Sequence, residues 1–171
     1  YKISNKENIL FSSNDLYDYL LKLIKAYPII SIEDPFAEED IEYFTKLKAN
    51  SPSYLQIVGD DLVVTNTELI KKAYNQDAIN SVLIKPNQIG TISQAANALK
   101  LSNELNLMSI LSARSEETED SLISDLSVGW EIKQLKVGSF SRSERMSKWN
   151  QCLRIGERLK DKFAMHNIWN F

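Results

Sequence analysis

The stretch Ser81-Val82-Leu83-Ile84-Lys85-Pro86 decides the fold. Ser81 to Ile84 reads as a short strand buried on both faces, and a lysine and a proline close it at once. Working outward, stretches of the same kind occur at Pro28 to Ile32 and Leu55 to Val58 before it. Leu107 to Leu111 and Gln134 to Val137 follow it. Amphipathic segments separate them, and short strands alternating with helices build a parallel sheet from β-α units.

What stands at the carboxyl end of each strand is more informative. Glu33, Asp60, Lys85, Ser112 with Arg114, and Lys136 follow one another at steps of 27, 25, 27 and 24 residues. Each step accommodates one β-α unit. In a β/α barrel the loops after the strands share one face, so groups distant in sequence converge on one pocket there. Five strands make only part of an eight-stranded barrel. The expected fold class is therefore α/β, the C-terminal part (about five β/α units) of a β/α (TIM-like) barrel. On this reading residues 1–171 form one barrel portion, and two or three strands are expected before Tyr1.

Helix starts are signalled by side chains able to satisfy the free N–H groups of a first turn. Thr65-Asn66-Thr67-Glu68, Thr91-Ile92-Ser93-Gln94 and Ser141-Arg142-Ser143-Glu144 match capping-box spacing. Earlier helices are expected over Asn14 to Lys25 and Glu38 to Lys48, the latter with acids at its start.

Composition narrows the function. Twenty Lys+Arg against 23 Asp+Glu give a net charge of -3, which argues against the broad basic footprint of a nucleic-acid binder. A lone cysteine, Cys152, excludes an internal disulfide and a Cys-only zinc site, and a lone histidine, His166, excludes histidine-cluster metal sites. A metal here must rest on carboxylates, which points to a hard cation. No apolar run approaches the about 20 residues of a membrane span, and the N-terminal residues do not read as a signal peptide. The expectation is a reducing, cytoplasmic setting. His166, Cys152, Trp130, Trp149 and Trp169 read as packing or surface residues rather than chemistry.

The strand-end residues carry the chemistry. Glu33 and Asp60, carboxylates at neighbouring strand ends, can hold a divalent cation that offsets their mutual repulsion. Otherwise they are solvated or cap the next helix. Asp34 and Asp61, next in sequence, are expected to point the other way on an extended chain and to support the ligands or their loops rather than bind the ion. A partly desolvated Lys85 beside a metal can serve as a base at carbon, its alternative being an exposed loop lysine. In Ser112-Ala113-Arg114-Ser115, a guanidinium beside a hydroxyl can bind phosphate. Glu116, Glu117, Glu119 and Asp120 crowd the same turn, and Arg114 could instead pair with them. Lys136 can offer a second cation to an anionic substrate, with Gly138 letting its loop bend.

The strings YPIISIEDPFAEED (27–40), VGDDLVVTNTELI (58–70), LIKPNQIGTISQA (83–95), SARSEETED (112–120) and QLKVGSFSRSERMSKWNQCLRI (134–155) closely resemble enolase, the phosphopyruvate hydratase family, in order along nearly the whole chain. The resemblance implies an N-terminal lid domain joined to a modified β/α barrel, of which only the C-terminal portion is here. It implies a magnesium-dependent glycolytic lyase that dehydrates 2-phosphoglycerate to phosphoenolpyruvate. It puts the magnesium ligands on Glu33 and Asp60 and the base on Lys85. The phosphate grip falls on Arg114 and Ser115, and the contact to the substrate carboxylate on Lys136. The third metal ligand, the acid glutamates and the mobile lid serine belong upstream, so this portion alone is expected to be inactive. A homodimer or higher homo-oligomer is implied, with no nucleic-acid partner. Ala113 and Glu116 depart from the usual histidine and glycine, and Pro86 replaces a small apolar residue. These departures leave two alternatives: a superfamily member acting on another carboxylate substrate, and a non-catalytic homologue.

Overall fold

The computed structural model describes residues 1–2 and 10–162. His166 and Trp169 lie outside the described residues. Five strands alternate with helices: α1 (Ser13–Ala26), β1 (Ser31–Glu33), α2 (Ile41–Asn50), β2 (Gln56–Gly59), α3 (Thr67–Asn75) and β3 (Ser81–Ile84) come first. They are followed by α4 (Pro86–Ile89), α5 (Ile92–Glu104), β4 (Met108–Ser112), α6 (Leu122–Gly129), β5 (Gln134–Lys136) and α7 (Ser143–Leu159).

All four strand pairings are parallel and the spatial order β1-β2-β3-β4-β5 is the sequence order. Because crossovers between parallel strands are right-handed, an order that never reverses puts every helix on one face of the sheet. That is the winding of a β/α barrel wall, not of a doubly wound sheet.

The two faces carry different chemistry, as a period of two along each strand requires. Ile57, Val82, Ile84 and Leu111 face the helices and join Leu16, Phe44, Leu47, Ile70, Ala95 and Ala98 in the main core. Fully burying an aliphatic or aromatic side chain there stabilises the fold by about 1.5–3 kcal/mol. The alternate residues Val58, Leu83 and Ile110 form a separate buried cluster on the other face. Below them Gln56 donates to Ser81 Oγ at 2.8 Å, and Ser81 donates to the Met108 carbonyl at 3.0 Å. Above them, still on the same face, stand Asp60 and Lys85. The inner face is thus layered along the strands: polar, apolar, then charged.

Several local expectations are corrected. The first strand pairs only from Ser31, not Pro28, and reaches Glu33. Pro28 has no N–H to give a ladder, and Ile29 N–H turns back to the Tyr27 carbonyl. Burial on both faces holds for β2 and β3 but not for β1 and β5, which form the two edges of the described sheet. The segment from Glu38 begins as a 3-10 turn over Glu38–Asp40, and the α-helix starts at Ile41. A capping box absent from the expectations closes the start of α1, where Ser12 and Asp15 exchange bonds.

Caps shift as well. Asn66, not Thr65, caps α3 by accepting from Glu68 and Leu69 N–H groups. Thr91 caps α5 as its spacing predicts. Arg142, in the left-handed region at φ 74°, occupies the cap position of α7 in place of Ser141, and no side chain caps that helix. Thr65 is 1% exposed, and its hydroxyl accepts from Lys85 N–H at 2.9 Å and donates to Gln88 Oε1 at 3.0 Å. The hydroxyl therefore anchors the end of β3 rather than a helix.

Thr65→Val should leave the Lys85 N–H buried without an acceptor and lower unfolding free energy by about 1–3 kcal/mol. Thr65→Ser should restore most of it. Urea denaturation of the three proteins checks this, and equal midpoints for Val and Thr would contradict the assigned role.

Candidate active site

Period-two alternation puts Glu33, Asp60, Lys85, Ser112 and Lys136 on the inner face, because each lies an even number of residues from an inner-face position of its own strand. Parallel registration carries them to the same end of the sheet, where Ser112 sits opposite Lys136. There Glu33, Asp60, Lys85 and Lys136 line an open cleft of about 440 Å³, and Ser112 lies outside its lining. Asp61, Arg114, Ser115 and Arg145 line it as well.

Two ion pairs organise the cleft. Lys85 Nζ meets Asp60 Oδ2 at 2.5 Å, with both side chains 10% exposed. Lys136 Nζ reaches both oxygens of Glu33, at 2.5 and 2.7 Å, although 103 residues separate them. Strands stand about 4.8 Å apart, so five flat strands would hold β1 and β5 roughly 19 Å apart, farther than these two side chains reach. The contact therefore records the curvature of the wall. Only a sheet that bends toward its inner face brings its first and last strands together at the mouth.

Acidic groups gather beside the first pair. Asp34, Asp60 and Asp61 each bring a carboxylate oxygen within 4.8 Å of the others. Asp34 does not continue the extended chain: its φ of 38° turns the side chain back, and it accepts from the Asp60 and Asp61 N–H groups at 2.9 and 2.7 Å. Burial pushes the Asp34 carboxyl above the usual carboxylate range. The two N–H bonds pull it part of the way back, and the charges of Asp60 and Asp61 add to the upward push. Asp34 is thus the group that orders the loop after β2. Asp61, expected to face away, lies with Asp60 at the cleft.

Lys85 holds the extended backbone required of a residue before proline, and Pro86 opens the short helix α4, where its missing N–H leaves no bond unmade. The substitution that stood out in the sequence therefore fits the local fold. Arg114 and Ser115 are exposed in the loop after β4 and both line the cleft. The acids that follow do not neutralise Arg114. Among the described residues Glu117 takes the Arg114 backbone N–H at 2.9 Å and faces Lys148 at 3.6 Å. Glu116 is exposed and is not among the cleft-lining residues.

Arg145 escaped the sequence reading. Its guanidinium donates to the carbonyls of Arg114 and Val137 at 2.8 Å each and of Ser115 at 2.5 Å, tying two strand-end loops together. Gly138, at φ 104°, lies beneath it, and a Cβ there would stand 3.7 Å from the guanidinium carbon. One signal was available: a cation in the first turn of a helix opposes the helix dipole and so needs another use. The remaining aromatic and sulfur groups behave as expected: Trp130 packs on the core, Trp149 stacks on Phe140, and Cys152 is a half-buried thiol.

A family model described as the C-terminal TIM barrel domain of enolase matches residues 1–169. The chain belongs to that family. Curated enolases similar to it include that of Ureaplasma parvum serovar 3, 46% identical over 167 residues, which are 95% of this chain and 38% of that protein. The enolase of Mycoplasma mobile is 47% identical over 154 residues, 90% of this chain and 34% of that protein. That of Mycoplasmopsis synoviae is 45% identical over the same length and shares. The chain thus spans little more than a third of the length of these enolases. The five-stranded wall is accordingly part of an enolase-type barrel, and the cleft lies at the end of it where β/α barrels place their sites.

In this enolase barrel the Lys85–Asp60 pair can be tested by stability alone. Lys85→Met, which leaves a buried carboxylate unpaired, should cost about 3–5 kcal/mol. Adding Asp60→Asn should recover a large part of that loss. A double-mutant cycle by chemical denaturation measures the coupling, and additive losses would show the two side chains to be independent.

Proposed function

We propose that the protein carrying this chain is a phosphopyruvate hydratase, a lyase that removes water from 2-phosphoglycerate to give phosphoenolpyruvate, and that residues 1–171 form the C-terminal portion of its barrel. The observation that carries the reading is the convergence of Glu33, Asp60, Lys85, Arg114, Ser115 and Lys136 at one mouth. The relatives named enolase support it across nearly the whole chain.

The donor set suits a divalent cation of the magnesium type. Among the described residues Asp60 Oδ1 is buried without a hydrogen-bond partner, and carboxylate oxygens of Asp34 and Asp61 stand within 4.8 Å of one of Asp60, while Glu33 is paired with Lys136. Asp60 and Glu33 would hold the ion, with Asp34 fixing the loop on which Asp60 sits. When bound, the ion supplies Lewis-acid stabilisation of charge on the substrate carboxylate.

The chain's own residues do the rest. Arg114 and Ser115 bind the phosphate, through a guanidinium and a hydroxyl that stand exposed at the cleft. Lys136 binds the substrate carboxylate, exchanging its bond to Glu33 for one to the substrate. Lys85 takes the proton from carbon 2, and the electron pair left behind moves onto the carboxylate, where Lys136 opposes the charge that builds up. That pair then returns to form the carbon–carbon double bond as hydroxide leaves carbon 3. A general acid from outside this portion protonates the hydroxide to water. A homo-oligomeric state and a cytoplasmic location belong to the same reading. Among the described residues no helix is long and apolar enough to cross a membrane.

A second reading, a superfamily member acting on a different carboxylate, is favoured by one observation: Ala113, a small apolar residue, lines the cleft beside Arg114.

The deciding assay follows phosphoenolpyruvate absorbance with the complete gene product, magnesium and 2-phosphoglycerate. The parent should be active and should lose activity when magnesium is chelated. Lys85→Ala should lower kcat by about 10²–10⁴-fold, the usual scale for removing a general base. Activity confined to unphosphorylated 2-hydroxy acids would establish the second reading, and an inactive parent with every substrate would leave a binding protein.

A further inference from the structure

Lys148 is the most deeply buried charged side chain described, with 1% of it exposed. A lysine loses hydration on burial and is tolerated there only when its charge and donors are satisfied. Here its ammonium donates to the Thr118 carbonyl at 2.5 Å and faces Glu117 Oε2 at 3.6 Å. A helix position inside a packed layer would be filled more stably by an apolar residue of the same size. The lysine therefore holds something that methionine could not.

What it holds is Glu117. The other oxygen of that carboxylate accepts two bonds, from the Arg114 backbone N–H at 2.9 Å and from the Asn87 side-chain amide at 2.6 Å. Asn87 lies two residues after Lys85, on α4. One carboxylate thus joins the loop that follows the candidate base to the loop that carries the candidate phosphate grip, and Lys148 fixes it from α7. Arg145, three residues before Lys148 on the same helix, holds the carbonyls of Arg114 and Ser115. The Arg114 peptide groups are therefore gripped on both the N–H and the C=O side by contacts that originate on α7.

We propose that Lys148, acting through Glu117, is a positioning residue that sets the Arg114–Ser115 loop for phosphate binding. It touches no substrate itself. The proposal rests on the reading of Arg114 and Ser115 as the phosphate grip. Because that grip lies away from the carbon that loses its proton, its loss weakens ground state and transition state alike. Such a change raises KM and leaves kcat nearly unchanged.

The test uses the complete gene product in three forms: parent, Lys148→Met and Glu117→Gln. Two quantities are read, steady-state kinetics with 2-phosphoglycerate and magnesium, and amide hydrogen exchange at Arg114. Lys148→Met should raise KM about tenfold with kcat within about threefold, the scale of one lost charge-assisted contact. Exchange at Arg114 should accelerate about tenfold while the β3–β4 ladder amides keep their rates. Glu117→Gln keeps an acceptor for Arg114 but loses the charge facing Lys148, so it should move both quantities in the same direction by less. It also decides the matter should Lys148→Met fail to fold. Unchanged Arg114 exchange, or faster exchange across the whole sheet with kcat falling and KM constant, would overturn the proposal and leave Lys148 a strut of the core. If the parent makes no phosphoenolpyruvate, the activity reading fails on that result alone, and the exchange measurement still decides whether Lys148 orders the loop.

Discussion

The alternation of side chains along parallel strands is the constraint on which this structure depends. A parallel sheet in sequence order has every strand pointing the same way, so every strand ends at the same rim. Glu33, Asp60, Lys85, Ser112 and Lys136 share the face that the helices leave free, while their immediate neighbours Ile32, Gly59, Ile84, Leu111 and Leu135 turn the other way. Shifting any strand by one residue would send its polar group into the helix layer and an aliphatic one to the rim. The packed core of Ile57, Val82, Ile84 and Leu111 against the helices therefore fixes the site as firmly as it fixes the fold.

At that rim, charge decides the arrangement. Lys85 with Asp60, and Lys136 with Glu33, form two ion pairs in the lining of a polar cleft. The first pair is nearly enclosed, the second half open to water, and their responses differ accordingly. Burial makes the inner pair interdependent, whereas the outer pair is screened by solvent. Asp60 uses one oxygen for Lys85 and, among the described residues, has the other buried with no hydrogen-bond partner.

The loops that finish the site are held by backbone contacts rather than by their own packing. Thr65 holds the N–H of Lys85, Asp34 holds the N–H groups of Asp60 and Asp61, and Arg145 holds three carbonyls across two loops. Each is a polar side chain satisfying backbone groups that a loop cannot pair by itself. Through Glu117 and Lys148 the same logic runs inward to α7. The exposed Arg114 and Ser115 thus rest on a scaffold that is itself largely buried.

The sequence by itself determined the five strands of the described residues, their parallel winding, and the strand-end positions, of which Glu33, Asp60, Lys85 and Lys136 line the cleft. These follow from local patterns: short apolar runs, their spacing near one β-α unit, and the polar residue that closes each run. The family was legible for the same reason, since its motifs are those strand ends. What the sequence could not show depends on contacts between distant segments. An extended chain would turn Asp34 and Asp61 away; instead a positive φ at Asp34 lets it hold the Asp60 and Asp61 N–H groups, as a loop group, and Asp61 lines the cleft. Thr65 matched a helix cap and became instead the acceptor for a strand 20 residues away. Arg145 and Lys148 carried no reading from the sequence, and only the packing of α7 against α6 and the loop before it turned them inward. Which acid neutralises which base, and which loop each one holds, is set by the curvature of the sheet and the docking of that helix. Neither is written in any one segment, because each arises from the burial of many together.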